Sequence, residues 1–309
     1  MNSIKVFKDE LLNQKIKEEG YVKIKLFSND DCNTIKKMAK NLVTDRLHNK
    51  ANFSTVPNPQ TPDEKCLKVH SFFRKIYTQK ISEFISEDYQ FFYSTFLIKK
   101  NRADKLHWHI DPSFYNQKEL EAPINIWGGV NNLTQKNGCL KIIPKSHKLC
   151  FDYEPMPLKE IGSTARCTSI KDTYNQLIEK HSVDIPLEKG EVIIHNQSLL
   201  HASHPNNSYL KKRIAFKIIL IPKKVDKLEL SYFNRTNNHL DIYQINKSEV
   251  SPNLCRYYNP ETNSSVVNEN DFVKNSVLNS DTLPYKTLAE MERIMELPHD
   301  SLKAKFELK

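Results

Sequence analysis

A chain of 309 residues, 39% hydrophobic and 27% charged, can bury one sizeable core, and no apolar run reaches membrane-spanning length, which argues against an integral membrane protein. The formal charge of +9 comes from lysines scattered along the whole chain among many asparagines. That spread describes a solvated surface better than a phosphate-tracking groove, so neither nucleic acid nor a membrane is an expected partner. Six cysteines, Cys32, Cys66, Cys139, Cys150, Cys167 and Cys255, form no Cys-x-x-Cys pair, and Met1 to Glu10 has no apolar stretch of signal length. Reduced thiols and a cytoplasmic location are the expectation.

In chain order, Tyr21 to Leu26 alternates like a strand, and Ser28 or Asn29 can cap a helix that puts Cys32, Ile35, Met38, Ala39 and Leu42 on one face. Thr44 to Lys68 is polar with Pro57, Pro59 and Pro62 and reads as a loop, followed by a helix around Gln79 to Glu87. Strand-like runs then recur at Phe91 to Ile98, Leu106 to Asp111, Ile124 to Val130, Cys139 to Ile143, Glu191 to His195 and Arg213 to Ile221. Leu199 to His201 reads as the continuation of the Glu191 strand after a short polar break. Lys148 to Leu187 has the composition of a long insertion, with a helix near Thr173 to Glu179, and such insertions over a barrel mouth often act as lids. The aromatic tail from Lys223, with Tyr232, Phe233, Tyr243, Tyr257 and Tyr258, is expected to pack on the body of the protein and to hold a helix around Leu288 to Leu297. Many short strands joined by turns favour a closed or double-sheet β architecture. No linker or repeat divides the chain, so residues 1 to 309 read as one domain.

Chemistry concentrates in His109-Ile110-Asp111, His201 and Arg213. On a strand, side chains two apart leave the same face, so His109 and Asp111 can take adjacent corners of one metal. Two imidazoles and a carboxylate suit a mononuclear Fe(II) centre with open coordination positions, and His201 can supply the third ligand. Arg213 starts an apolar strand that looks paired with the one carrying His201. Its forked, permanent charge suits a carboxylate, and 2-oxoglutarate has the length to chelate iron at one end and reach a guanidinium at the other. His107 shares a face with His109, but Ser113, Phe114 and Tyr115 stand where a His-x-His pattern would need a glutamate, so it reads as a pocket residue. His147, His195 and His204 read as hydrogen-bonded histidines, and Arg74, Arg102 and Arg166 as surface groups before substrate anchors.

Together with Trp127, Asn137-Gly138-Cys139-Leu140, Pro144-Lys145-Ser146-His147 and the Glu19-Gly20-Tyr21-Val22 start, these residues resemble the phytanoyl-CoA hydroxylase family of Fe(II)- and 2-oxoglutarate-dependent dioxygenases over roughly residues 15 to 221. The resemblance implies a mainly β protein with flanking helices: a double-stranded β-helix, a cupin-like jelly roll, with helical N-terminal support, an insertion over about 148–187 and a C-terminal extension over about 222–309. It implies His109, Asp111 and His201 as iron ligands, Arg213 on the distal carboxylate of 2-oxoglutarate, Ser203 and Trp127 as further cosubstrate contacts, and dioxygen as co-reactant. The implied reaction oxidises an unactivated C–H bond of a small-molecule substrate, by hydroxylation or by desaturation or cyclisation in biosynthesis, with release of succinate and carbon dioxide. Asp111 argues against halogenation, because related halogenases carry Ala or Gly there. One departure is Lys145, where the family has glycine. An oxygenase acting on a macromolecule and a non-catalytic barrel are the alternatives, and the state expected is monomer or homodimer.

Overall fold

The computed structural model describes residues 4–42, 53–56, 64–111, 123–149, 153–155, 168–170, 174–225, 227–234, 239–246, 273–278, 288–296 and 306–307. The N-terminal support comprises α1 (Glu10–Glu19), β1 (Tyr21–Lys25), α2 (Asn29–Leu42), β2 (Phe53–Val56) and α3 (Glu64–Gln79). The barrel strands are β3 (Tyr89–Lys99), β4 (Leu106–His109), β5 (Ile124–Gly129) and β6 (Leu140–Ile142). After β7 (Tyr153–Pro155), β8 (Thr168–Ile170) and α4 (Asn175–His181) come β9 (Val183–Ile185), β10 (Glu191–Asn196), β11 (His201–Ser203) and β12 (Arg213–Pro222). The extension holds β13 (Lys227–Asn234), β14 (His239–Asn246), β15 (Val273–Leu278), α5 (Leu288–Glu296) and β16 (Phe306–Glu307).

Local chemistry sets the entry segment. The Asp9 side chain accepts the Leu12 N–H at the start of α1, and Gly20, at φ 83°, ends that helix in a left-handed conformation. Ser28 caps α2 reciprocally with Asp31: each side chain accepts the other's backbone N–H. Cys32, Ile35, Ala39 and Leu42 are then buried along one helical stripe, with Met38 packed beside them.

Two sheets face each other in a jelly roll: a seven-stranded sheet in the order β16-β1-β10-β5-β12-β3-β2, and a four-stranded one in the order β4-β11-β6-β9. Alternation along the large sheet sorts its side chains. Val22, Ile24, Ile124, Ile126, Val192, Ile194, Phe216 and Ile218 join Ile35 of α2 and Phe73 of α3 in one core. Tyr21, Leu97, Trp127, Ile193 and Ala215 face the barrel interior, meeting Leu140, Ile142 and Ile185 of the small sheet. A third cluster of Ile110, Ile143, Leu149, Leu177, Ile178, Leu200, Met291 and Met295 joins α4 and α5 to the small sheet, so part of the C-terminal extension packs on the barrel. No helix among the described residues is long and apolar enough to cross a membrane.

The structure corrects five sequence expectations. Thr44 to Lys68 contains β2 and the start of α3, whose apolar stripe of Val69 and Phe73 is masked by polar flanks. The helix expected over Gln79 to Glu87 is only a single 3-10 turn, Ile81–Glu83, after α3 has ended. Leu199 to His201 does not continue β10. Asn196 accepts the Ser198 N–H and hydroxyl in a tight turn that carries the chain across to the small sheet. The Arg213 strand pairs with β3 and β5 rather than with the strand of His201, because that strand has left the large sheet. Finally, Lys148 to Leu187 is not wholly an insertion: β9 within it pairs with β6 as a barrel strand.

Candidate metal centre

His109 and His201 lie directly opposite each other on the antiparallel pair β4 and β11, and their rings stand 4.2 Å apart. Asp111 follows β4 and is anchored by its own N–H to the Gln197 carbonyl at 3.1 Å, in the turn that leads to β11. One ligand atom from each of His109, Asp111 and His201 falls within 4.8 Å of the other two. The Nδ1 atoms of His109 and His201 donate to the carbonyls of His107 and Leu199, at 2.7 and 2.9 Å. A carbonyl can only accept, so Nδ1 carries the proton and each Nε2 keeps its lone pair for a metal.

The carboxylate is oriented as well. Asp111 Oδ2 accepts from Asn125 Nδ2 and, at 3.2 Å, from Lys217 Nζ, which leaves Oδ1 as the oxygen available to a cation. Gln197 Nε2 donates to Asn125 Oδ1 at 3.1 Å and completes the chain. Burial, assisted by His201, lowers His109 to about 3, and burial lowers His201 to about 4, so both imidazoles are neutral at physiological pH. Burial alone would raise the Asp111 carboxyl, but Lys217 first, then His201 and His109, outweigh it and hold the group ionised. Neutral imidazoles and an ionised carboxylate are the protonation states that ligation needs. Asn125, Gln197 and Lys217 escape a search for motifs. For Asn125 and Lys217 the signal is a polar residue inside an apolar strand, two before Trp127 and four after Arg213 with inward parity, while Gln197 lies in the turn after β10 and carries no such signal.

Arg213 is buried to 5% exposure, with its guanidinium 5.6 Å from the Trp127 ring. Its Nε and Nη1 are buried without a hydrogen-bond partner. Burial lowers it to about 10, so it stays charged at neutral pH. A desolvated cation with two idle donors is a receptor for an anion. Ser203 is buried nearby, its Oγ 2.8 Å from the Nζ of Lys99, which stands opposite Arg213 across β3 and β12. Gly138, at φ 92°, roofs the pair: a Cβ there would lie 3.3 Å from Lys99 Cδ and 3.6 Å from Arg213 Nε.

The remaining sequence candidates are placed elsewhere. His195 packs behind His201 at 5.0 Å and hydrogen-bonds the Asn196 carbonyl, His204 pairs with Asp184 at 2.6 Å, and His147 meets the Lys17 carbonyl at 3.1 Å. Arg74 and Arg102 lie over the rings of Phe91 and Tyr209, while Arg166 and residues 113 to 115 fall outside the described residues. Lys145 adopts φ 67°, the left-handed conformation that explains the family's glycine there, and its ammonium sits 3.8 Å from buried Glu19. His181, Glu292 and Glu296 form another donor cluster, but Lys180 bridges both glutamates, and the group acts as an ion-pair clasp between α4 and α5.

Residues 16–214 match the model of the phytanoyl-CoA dioxygenase (PhyH) family. A phytanoyl-CoA dioxygenase domain-containing protein 1 homolog of Caenorhabditis elegans is 27% identical over 143 residues, which is 44% of this chain and 48% of that protein. Dioxygenase lolE1 of Epichloe uncinata is 30% identical over 108 residues, 35% of this chain and 37% of that one. The chain thus spans at most about half the length of these curated relatives. Among solved structures, EvdO2 of Micromonospora carbonacea var. aurantiaca with 2-oxoglutarate superposes at a TM-score of 0.50 and 16% identity, covering 71% of this chain and 94% of its own. The epimerase SnoN with Fe3+, alpha ketoglutarate and nogalamycin RO does so at 0.52 and 15%, covering 69% and 83%. At these identities the superpositions establish the jelly-roll fold.

Proposed function

The chain belongs to the phytanoyl-CoA dioxygenase family, and on that premise we propose that it is an Fe(II)- and 2-oxoglutarate-dependent oxygenase acting on a C–H bond of a small molecule. The observation that carries the reading is the convergence of His109, Asp111 and His201 within 4.8 Å of one another. The donor set fits ferrous iron, since two neutral imidazoles and one carboxylate leave the rest of the coordination sphere open. The cosubstrate fits too: Arg213 offers buried, idle N–H groups to a carboxylate, and Trp127 walls the same pocket. When bound, iron with 2-oxoglutarate and dioxygen supplies an oxidation that releases succinate and carbon dioxide.

The chain's own residues do the positioning. His107 and Leu199 carbonyls fix the imidazole tautomers, and Asn125 with Lys217 holds one oxygen of Asp111 so that the carboxylate binds through the other. Arg213 grips the distal carboxylate of 2-oxoglutarate, Ser203 donates to it, and the apolar interior of Leu97, Ile193 and Ala215 excludes water. Asp111 occupies the position a halide would need, so hydroxylation, desaturation or cyclisation is the expected outcome. SnoN holds nogalamycin RO, and a natural-product scaffold of that kind is the substrate class put forward for this chain. The test is a screen of metabolite extracts with Fe(II) and 2-oxoglutarate. Succinate release coupled to a mass gain of one oxygen, or a loss of two hydrogens, is expected. No succinate above the iron-free control in any extract would overturn the reading.

A further inference from the structure

Among the described residues, the most buried ammonium of the barrel interior touches none of the proposed iron ligands. Lys99 is 1% exposed, and its Nζ donates to Ser203 Oγ at 2.8 Å and to the His204 carbonyl at 2.7 Å. Desolvating an ammonium is expensive, and a structural strand position could be filled by any aliphatic residue. We infer that Lys99 is a positioning residue for the cosubstrate: it fixes the Ser203 hydroxyl as a donor toward the carboxylate site of Arg213, and so sets the preference for a 2-oxo acid with a second carboxylate. The inference rests on the proposed 2-oxoglutarate chemistry and deepens it.

An ammonium has three donors and no acceptor, so at the Lys99 contact Ser203 Oγ must accept. The hydroxyl proton of Ser203 is thereby turned away from Lys99 and left to donate. A serine without that neighbour could rotate and present its lone pairs, which would repel a carboxylate. The location is set by register, since Lys99 stands directly across from Arg213 on paired strands. Both side chains reach Gly138: Lys99 Cδ and Arg213 Nε lie 3.3 and 3.6 Å from where a Cβ on that residue would stand. Two cations packed this closely raise the potential where Arg213 has idle donors, which favours an anionic end group over a neutral one. No motif search finds Lys99, because its run Phe96-Leu97-Ile98-Lys99 reads as a strand ending in solvent.

The test is a double-mutant cycle read by binding. Anaerobic protein loaded with Fe(II) is titrated with 2-oxoglutarate and separately with 2-oxobutyrate, which lacks the distal carboxylate, following the visible charge-transfer band. Lys99→Met is expected to weaken 2-oxoglutarate about 10- to 100-fold, the range typical of outer partners that orient a binding group, while 2-oxobutyrate and iron affinity stay within about twofold. Ser203→Ala alone is expected to lose a similar factor, and the double variant little more than either. Should Lys99→Met not fold, Lys99→Gln enters the same cycle, and its thermal transition separates misfolding from weakened binding. Unchanged 2-oxoglutarate affinity, equal weakening of both acids, or additive losses in the double variant would each overturn the inference. If the wild-type protein binds iron yet gives no band with 2-oxoglutarate, the underlying function fails instead, and the two failures are distinct.

Discussion

Replacing Arg213 by Met should make the protein more stable and less able to bind its cosubstrate. The guanidinium is buried with Nε and Nη1 idle, and each such donor forfeits about 1–3 kcal/mol of hydration. Met keeps most of the apolar stem and forgoes the contact with the Trp127 ring, worth about 1 kcal/mol. The metal-loaded variant without 2-oxoglutarate should therefore gain roughly 1–5 kcal/mol in denaturant unfolding. With cosubstrate the order inverts. Truncating one side of a buried charge pair costs about 2–5 kcal/mol, and 2.7 kcal/mol corresponds to roughly 100-fold in affinity. At a 2-oxoglutarate concentration about 100 times the wild-type Kd, the wild type gains about 2.7 kcal/mol and a variant weakened about 100-fold gains only about 0.4 kcal/mol. The assay is paired urea titrations with and without 2-oxoglutarate. A variant less stable than the wild type in the absence of ligand, or one stabilised equally by it, would refute the assignment of Arg213 as an anion receptor.

Other outcomes follow from the same geometry. Asn125→Ala releases one side of the Asp111 carboxylate and removes the acceptor of buried Gln197 Nε2, so it should lower Fe(II) affinity about 10- to 100-fold and destabilise the metal-free protein by about 1–3 kcal/mol; calorimetric titration decides, and unchanged affinity would show that Lys217 suffices. His70 is buried against Phe91 and lowered to about 4 by burial and then by Arg74, so the unfolded chain takes up its proton first as the pH falls. Stability should drop between pH 6.5 and 4 by about 1.4 kcal/mol per unit for this one group, and His70→Phe should remove that share of the slope; an unaltered slope argues against a neutral buried imidazole. Lys145→Gly relieves a left-handed backbone worth about 1 kcal/mol but removes the ammonium 3.8 Å from buried Glu19, a loss of several kcal/mol when a buried pair is broken. Net destabilisation of about 2 kcal/mol is expected by urea titration, and a stabilised variant would show that the pair contributes little.

The jelly roll and the shared face of His109 and Asp111 are legible in the chain because both rest on short-range pattern. Strand parity from Phe91 to Ile98 and from Arg213 to Ile221 survives in the structure nearly to the residue, and so does the apolar stripe of α2. What parity cannot report is which sheet a strand joins. The turn at Asn196 to Ser198 is three polar residues in the sequence, and only its hydrogen bonds reveal that it hands His201 to the opposite sheet from His195. That crossing puts His201 against His109 while Arg213 comes from the far side, so the sequence misplaces the strands that carry these residues. The supporting side chains are hidden for another reason. Asn125, Lys217 and Lys99 look like ordinary polar interruptions until strand pairing shows that they point inward. α3 is obscured because the helix begins inside a stretch whose composition reads as loop, ahead of its apolar stripe at Val69 and Phe73.

The most direct measurement is the visible charge-transfer band of the anaerobic protein with Fe(II) and 2-oxoglutarate, compared among the wild type, Asp111→Ala and His201→Ala. The wild type should develop the band with one iron and one 2-oxoglutarate per chain, and both variants should lose it at matched concentrations while remaining folded. Equal bands in all three proteins would place the iron somewhere other than between His109, Asp111 and His201.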